Sequence, residues 1–139
     1  MEDQVEAGQG CKVTPKVGDR WYRVEGESYS ILNEWDEPCS SRHELASKCY
    51  QVVKVTPKGV WVSRLYGIGE NRYLDEYKRF IRTTAKKWYA RPSEVDALQD
   101  FVRRKRAQAR ILSSRLAVVE QFEAMALAKL RQVSVSMAA

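Results

Sequence analysis

The sequence predicts an α+β fold, in which a small SH3-like barrel or bent antiparallel sheet is followed by a long C-terminal amphipathic helix. Short runs of β-branched and aromatic residues, separated by turn-forming residues, recur through residues 20–89. From Ser93 to about Gln132, apolar residues instead recur every three or four positions almost without interruption. A sheet followed by one long helix accounts for both patterns.

The chain divides into four segments on this basis. Residues 1–14 show no periodicity and are predicted to form a flexible tail, and residues 15–91 form the small β-barrel-like domain. Residues 92–132 form the long helix, which we expect to mediate dimerisation or docking of a partner. Residues 133–139 form a frayed tail, because valine and serine favour the helix weakly. One domain with an appendage suits 139 residues, 44 % of them hydrophobic.

About five short strands are expected in the β domain. The first, at residues 20–24, alternates aromatic and β-branched residues after a turn at residues 17–19. Residues 25–42 hold glycine, proline and several serines without periodicity, so they are predicted to form a long loop, with a short strand at residues 30–32 as an option. The later predicted strands occupy residues 72–74, 79–82 and 87–89.

The strongest local prediction is a β-hairpin that joins residues 48–55 to residues 60–66. Both runs are rich in valine and aromatic residues, and the sequence Thr56-Pro57-Lys58-Gly59 separates them. Pro57 sets the φ angle of the first turn position. Gly59 is expected to adopt the positive φ that closes a type I turn with a bulge.

The helix carries a heptad seam along one face. Ser93 is the expected N-cap, and acidic residues follow it in the first turn. Spacings of three and four residues alternate along the seam, and only Lys105 and Glu123 within it are not apolar. The seam comprises Val95, Leu98, Val102, Lys105, Ala109, Leu112, Leu116, Val119, Glu123, Ala126 and Leu130. At 1.5 Å per residue this helix is roughly 60 Å long, longer than the diameter of a small domain.

The C-terminal half of the helix adds a second apolar face from Ile111 onward, so it needs cover on two sides. We expect a homodimer, or a helix docked in a partner's groove. The predicted interface residues are Leu112, Leu116, Val119, Phe122, Met125 and Ala126. Lys105 either sets the register, against Glu123 of an antiparallel partner, or marks a level at which the seam opens to water.

Charge is distributed unevenly along the chain. Residues 1–70 hold 9 Lys and Arg against 11 Asp and Glu, whereas residues 71–139 hold 15 against 7, so the whole +6 excess lies in the second half. Such a basic half favours attraction to nucleic acid, an anionic membrane or an acidic protein. No apolar run is long enough for a membrane span, and we expect a protein of the cytoplasm with no membrane partner.

A basic strip is the strongest candidate site for binding nucleic acid. Helical spacing places Arg103 and Arg110 opposite the seam, with Arg106 about one-sixth of a turn away and with Arg104 and Arg115 in a neighbouring row. Lys86, Lys87 and Trp88, with Tyr89, precede the helix and combine cations with stacking faces. The alternative is a solvated helix face on which Asp100 pairs with Arg104.

Residue types that bind metals or perform catalysis are present but poorly spaced. Cys11, Cys39, His43 and Cys49 have the composition of a zinc site without its usual close pairs, and three cysteines do not predict a disulfide framework. The acidic residues at 34–37 with Glu44 could hold a hard cation, although an acidic loop is usually solvated. We predict no metal, no cofactor and no enzymatic activity.

The chain resembles small accessory proteins of tailed bacteriophages that have no known activity. The resemblance lies in the Asp36-Glu37-Pro38 loop, the hairpin at residues 50–62, the strands that contain Tyr73-Leu74-Asp75 and Lys78-Arg79-Phe80, and the helix from Ala97 to Ala117. It implies a gene of a phage or mobile element that acts in the cytoplasm of a bacterial host.

The sequence therefore predicts a non-enzymatic binding protein with a basic helix strip suited to nucleic acid. The alternative is a host-takeover or defence-inhibiting protein, similar in role to an anti-CRISPR, that binds and occludes a host defence protein. In the alternative, the apolar helix face or the acidic loop at residues 34–37 forms the contact surface.

Overall fold

The structure is a computed structural model that describes residues 14–138. It contains a four-stranded antiparallel sheet followed by one long helix. The elements are β1 (Arg20–Leu32), β2 (Pro38–Thr56), β3 (Gly59–Tyr66), β4 (Tyr73–Arg82) and α1 (Glu94–Ala138). Neighbours in sequence are neighbours in the sheet, whose order is β1-β2-β3-β4. The α+β class is confirmed, with an open sheet of four strands instead of a five-stranded barrel.

The chain forms two compact units, Met1–Gln99 and Asp100–Ala139, whose boundary falls within α1. The first unit contains the sheet, and the second contains most of the helix. The predicted flexible tail lies almost wholly outside the described residues, and so does Cys11.

The predicted loop at residues 25–42 was wrong, because most of it belongs to β1 and β2. These strands pair continuously from Arg20↔Gln51 to Ile31↔Ser40, with a bulge before Leu32↔Pro38. Their far ends form a two-stranded ribbon, here called the outer ribbon (residues 25–47). Every residue at positions 28–45 except Asn33 is exposed. Since neither face of the ribbon is covered, no alternation of apolar and polar residues reveals these strands in the sequence.

The predicted hairpin between β2 and β3 is confirmed, but the reason for its glycine is different. Thr56 pairs with Gly59 across a two-residue turn, and the Thr56 hydroxyl donates to the Gly59 carbonyl at 2.8 Å. Gly59 does not have a positive φ. A Cβ atom at Gly59 would instead lie 2.1 Å from the Ile81 carbonyl oxygen of β4. Glycine is therefore required for close approach between strands.

The strands predicted at residues 72–74 and 79–82 are parts of one strand, β4, which begins at Tyr73. The turn before it contains a short 3-10 helix at Gly69–Asn71, and Gly67 has a φ of +85°. Residues 87–89 do not form the predicted fifth strand. The chain instead returns to the edge of β1 through the isolated bridge Tyr22↔Arg91.

The core of the sheet unit lies on one face, near the β2–β3 turn. It consists of Trp21, Tyr50, Val52, Val60, Val62, Ile81 and Ala90, with Trp88 and Tyr89 packed against it. The Trp88 ring stacks on Trp21 with centroids 5.5 Å apart, and its Nε1 donates to the Ala85 carbonyl. The segment predicted as a fifth strand therefore closes the core with aromatic rings instead of ladder hydrogen bonds.

The helix begins as the sequence predicted and ends later. The Ser93 hydroxyl accepts a hydrogen bond from the Asp96 backbone N–H at 3.2 Å, which confirms the N-cap. α1 continues to Ala138, beyond the predicted end at Gln132. The valines after Gln132 each weaken a helix by only about 0.5 kcal/mol, which is too little to end it. Among the described residues, no helix combines the length and apolar character needed to cross a membrane.

Candidate functional site

The basic strip consists of Arg103, Arg104, Arg106, Arg110 and Arg115 on α1. Residues 100–115 hold six basic side chains and one acidic side chain, so the positive charge of the second unit is concentrated here. Arg106, Arg110 and Arg115 are exposed, and no described residue forms an ion pair with any of them. The strip therefore presents guanidinium groups that can meet phosphate oxygens.

Two arginines of the strip also contact residues of their own helix. Arg103 Nη1 lies 2.9 Å from Asp100 Oδ1, one helical turn away, and its side chain remains 66 % exposed. The Arg104 guanidinium lies over the Phe101 ring, 5.7 Å from the centroid. Asp100, whose side chain is 12 % exposed, thus forms an ion pair with Arg103, and an i,i+3 pair on a helix stabilises it by only a few tenths of a kcal/mol, about 0.2 to 0.5.

In the segment that precedes the helix, the two lysines are exposed, whereas the tryptophan packs within the protein. Lys86 and Lys87 are exposed, as a phosphate contact requires. Trp88, predicted as a stacking face for bases, already stacks on Trp21, and the Arg91 guanidinium lies 4.6 Å from its ring centroid. The ring thus contributes to the core of the sheet unit.

The Tyr89 ring next to this segment is also engaged within the protein. The guanidinium groups of Arg23 and Arg79 lie 4.1 Å and 3.8 Å from its centroid. Arg23 additionally donates from Nη1 to the Tyr89 carbonyl at 2.8 Å. Stacking of a base on Tyr89 would have to displace one of these arginines.

A cleft on the sheet, here called the Tyr–Arg cleft, was not predicted from the sequence. It encloses about 110 Å³ on the same face as the core. Its walls are formed by Tyr50, Val62, Arg64, Tyr66, Asp75, Tyr77, Arg79 and Tyr89. The period-two spacing of Asp75, Tyr77 and Arg79 on β4 was the available signal, because alternate strand residues share a face.

The Tyr–Arg cleft contains one side-chain donor with no partner. Arg64 Nε is buried and makes no hydrogen bond to any described residue, while its guanidinium lies 4.9 Å from the Tyr66 ring centroid. Tyr66 in turn donates to Asp75 Oδ2 at 3.5 Å. The arrangement suits a small anionic group, but the volume is well below the roughly 300 Å³ of a typical ligand pocket.

A second hydrogen bond at the cleft joins Tyr50 and Tyr89, whose hydroxyl oxygens are 3.1 Å apart. Burial, followed by this hydrogen bond, raises the pKa of the Tyr50 hydroxyl well above its ordinary value of 10.0. Tyr50 therefore keeps its proton at neutral pH and acts as a neutral hydrogen-bonding group.

Cys39, His43 and Cys49 lie along one strand, β2, so they do not converge on a zinc ion. Cys39 and Cys49 are ten residues apart, about 33 Å in an extended strand. The His43 ring bonds through Nδ1 to the Ser28 hydroxyl at 2.9 Å, and burial raises the pKa of the Cys49 thiol. No group of three His, Cys, Asp or Glu within residues 14–138 is placed to hold a metal.

The predicted acidic loop is the tip of the outer ribbon. Asn33 Oδ1 accepts from the backbone N–H groups of Trp35 and Glu37 at 2.9 and 3.0 Å, which fixes the turn, and Asp36 has a φ of +57°. The Trp35 side chain is 75 % exposed. Between positions 26 and 46 the ribbon holds five acidic residues against one arginine, so the tip is an exposed aromatic residue on an acidic arm.

The predicted interface residues all lie on the exposed surface of α1. Leu112, Leu116, Val119, Phe122 and Met125 are each more than half exposed. Ala126 is exposed as well. Contiguous exposed apolar surface of this kind is typical of an interaction site.

Comparisons with known proteins do not assign this chain to a family: no protein-family model matches it, and no match was found among curated proteins or solved structures.

Proposed function

We propose that the protein binds nucleic acid through the basic strip, by contacts to phosphates that do not depend on base sequence. The observation that supports this proposal is the exposure of Arg106, Arg110 and Arg115 without ion-pair partners among residues 14–138. Arginine pairs with phosphate through two parallel hydrogen bonds, and each neutralised phosphate releases counterions. The resemblance to phage accessory proteins favours a bacterial host cell as the setting.

The test is a fluorescence-anisotropy titration of the protein with unrelated duplex DNA, single-stranded DNA and structured RNA at several salt concentrations. Affinity is expected to fall steeply with salt, because the release of bound cations is less favourable as salt rises. The variant Arg106→Ala/Arg110→Ala should weaken binding by about tenfold or more. The plot of log K against log salt should become less steep, with the magnitude of its negative slope reduced by about 2. Alanine favours the helix, so the variant should keep its fold.

The matched control is Lys129→Ala/Arg131→Ala, which removes two exposed cations from the same helix outside the strip. Its salt slope and affinity should stay close to those of the unmodified protein. Equal losses in both variants would show that total charge alone governs binding. Absence of salt-dependent binding to all three nucleic acids would overturn the proposal.

The outer ribbon supports a second candidate function, the occlusion of a host protein. An exposed tryptophan such as Trp35 is a frequent binding hot spot, and the acidic arm around it complements a basic surface. In this function Trp35→Ala abolishes partner binding, whereas Arg106→Ala/Arg110→Ala leaves it intact. Measuring both variants for partner binding and for nucleic-acid binding therefore distinguishes the two functions.

A further inference from the structure

The two charged residues of the seam have no ion-pair partner on their own helix. Lys105 Nζ donates to Gln108 Oε1 at 3.0 Å and lies 5.4 Å from the Phe101 ring centroid. No acidic residue lies three or four positions from Lys105, and no basic residue lies three or four positions from Glu123. Those are the positions from which side chains meet along a helix. Both charges interrupt an otherwise apolar stripe.

Counted from Ser114, the seam residues lie at the same distances toward the N-terminus as toward the C-terminus. If a second copy of the helix lies antiparallel and is centred there, Leu112 faces Leu116, Ala109 faces Val119, and Val102 faces Ala126. The same alignment places Lys105 of each copy opposite Glu123 of the other. Eight layers result within the second unit, six of them apolar and two of them ion pairs of opposite charge.

A parallel, in-register pair would use the same apolar positions but would oppose like charges. Lys105 would meet Lys105, and Glu123 would meet Glu123, which is unfavourable at partly buried positions. The charges therefore favour the antiparallel direction and disfavour one-heptad slips, which would place Lys105 opposite an apolar residue.

We propose that the chain forms an antiparallel homodimer through this seam, with reciprocal Lys105–Glu123 pairs between the copies. The leucine and valine residues that would be covered, at positions 102, 112, 116 and 119, are 43–63 % exposed in the single chain. Residues 102–126 span about 36 Å at 1.5 Å per residue, which corresponds to more than three heptads of coiled coil. The occupant of this face is thus a second copy, because its charges match the seam's own.

The dimer goes beyond nucleic-acid binding and does not rest on it. It would place the centres of the two basic strips about 19 Å apart along the helix axis, because each is centred about 6 residues from Ser114. Two strips on one particle raise the number of phosphates that a single complex can contact.

The test is the solution mass of the full chain and its variants by analytical ultracentrifugation over a range of concentrations. Lys105→Glu opposes glutamates in both charged layers and should raise the dimer dissociation constant by about tenfold or more. Glu123→Lys should do the same by opposing lysines. The double variant Lys105→Glu/Glu123→Lys should recover the dimer, since it exchanges the two charges and keeps the pairing.

The control is Lys129→Glu, which makes the same charge change about 100° around the helix from the seam and should leave the dimer unchanged. Circular dichroism of each variant at matched concentration verifies that the helix persists. A monomer at about 100 µM would overturn the proposal. A dimer whose dissociation constant is unchanged by either single charge reversal would also overturn the proposal. In a parallel pair each reversal only replaces one like-charge layer with another, so the dimer would keep its stability.

Discussion

Glu25, which is partly exposed, stabilises the sheet through two ion pairs. Its carboxylate accepts hydrogen bonds from Lys48 on β2 and from Arg23 Nε at 2.8 Å on its own strand. These bonds, with Lys48 the larger contributor, lower the pKa of Glu25 from 4.5 to about 2. The folded carboxylate is thus more acidic than the unfolded one. Its stabilisation is present above pH 4.5 and is lost as pH falls from 4.5 toward 2.

Glu25→Gln is therefore expected to reduce the free energy of unfolding near pH 7 by about 1 kcal/mol, a value discounted for the partial exposure of the group. The difference from the unmodified protein should shrink as pH is lowered below 4.5. Urea denaturation at several pH values measures it. Glu70→Gln, in the exposed 3-10 turn, is the control and should stay within about 0.5 kcal/mol at every pH. A difference that grows on acidification would contradict this account.

The β2–β3 hairpin depends on a glycine for a reason that involves a third strand. A Cβ atom at position 59 would lie 2.1 Å from the Ile81 carbonyl oxygen and 2.8 Å from Phe80 Cζ. The first of these is a backbone atom held in the ladder, so relief requires movement of β4. Gly59→Ala should destabilise the sheet unit by about 2 to 3 kcal/mol.

The control for Gly59→Ala is Lys58→Ala, in the same turn but with an exposed side chain. Thermal unfolding followed by near-UV circular dichroism reports the tertiary environment of Trp21 and Trp88, which lie in this unit. We expect a lower Tm for the glycine variant and an unchanged Tm for the control. Equal Tm values in both variants would show that β4 can move away at little cost.

At the scale of the whole molecule, the two compact units differ in burial. All residues of the core cluster lie between positions 21 and 90, whereas positions 108–138 are exposed throughout. A chain that ends after Gln99 is therefore expected to keep a folded sheet with cooperative unfolding. It should lose salt-dependent nucleic-acid binding and dimerisation, because the strip and the eight seam layers are removed.

Near-UV circular dichroism, anisotropy and sedimentation on the shortened chain check these three expectations. Retained nucleic-acid binding would transfer the proposed interface to the sheet unit, where Lys86, Lys87 and the Tyr–Arg cleft are the remaining candidates. Loss of the sheet itself would show that the first unit does not fold without the second.

The sequence by itself determined the elements whose pattern is local. The hairpin between β2 and β3, the Ser93 cap and the long helix were predicted because turn residues, a capping hydroxyl and a repeat of three and four residues depend only on near neighbours. The seam and the basic strip follow from helical periodicity, which assigns their residues to separate faces of one helix.

Tertiary structure decided the features that join distant parts of the chain. The outer ribbon escaped prediction because both of its faces are exposed and no burial imposes an alternation on it. Trp88 could not be assigned to the core until Trp21, 67 positions earlier, was placed beneath it. The Tyr–Arg cleft draws on three strands and the segment at Tyr89, and Gly59 is fixed by a carbonyl on β4. Periodicity reports which face a residue occupies, but only packing reports what that face meets.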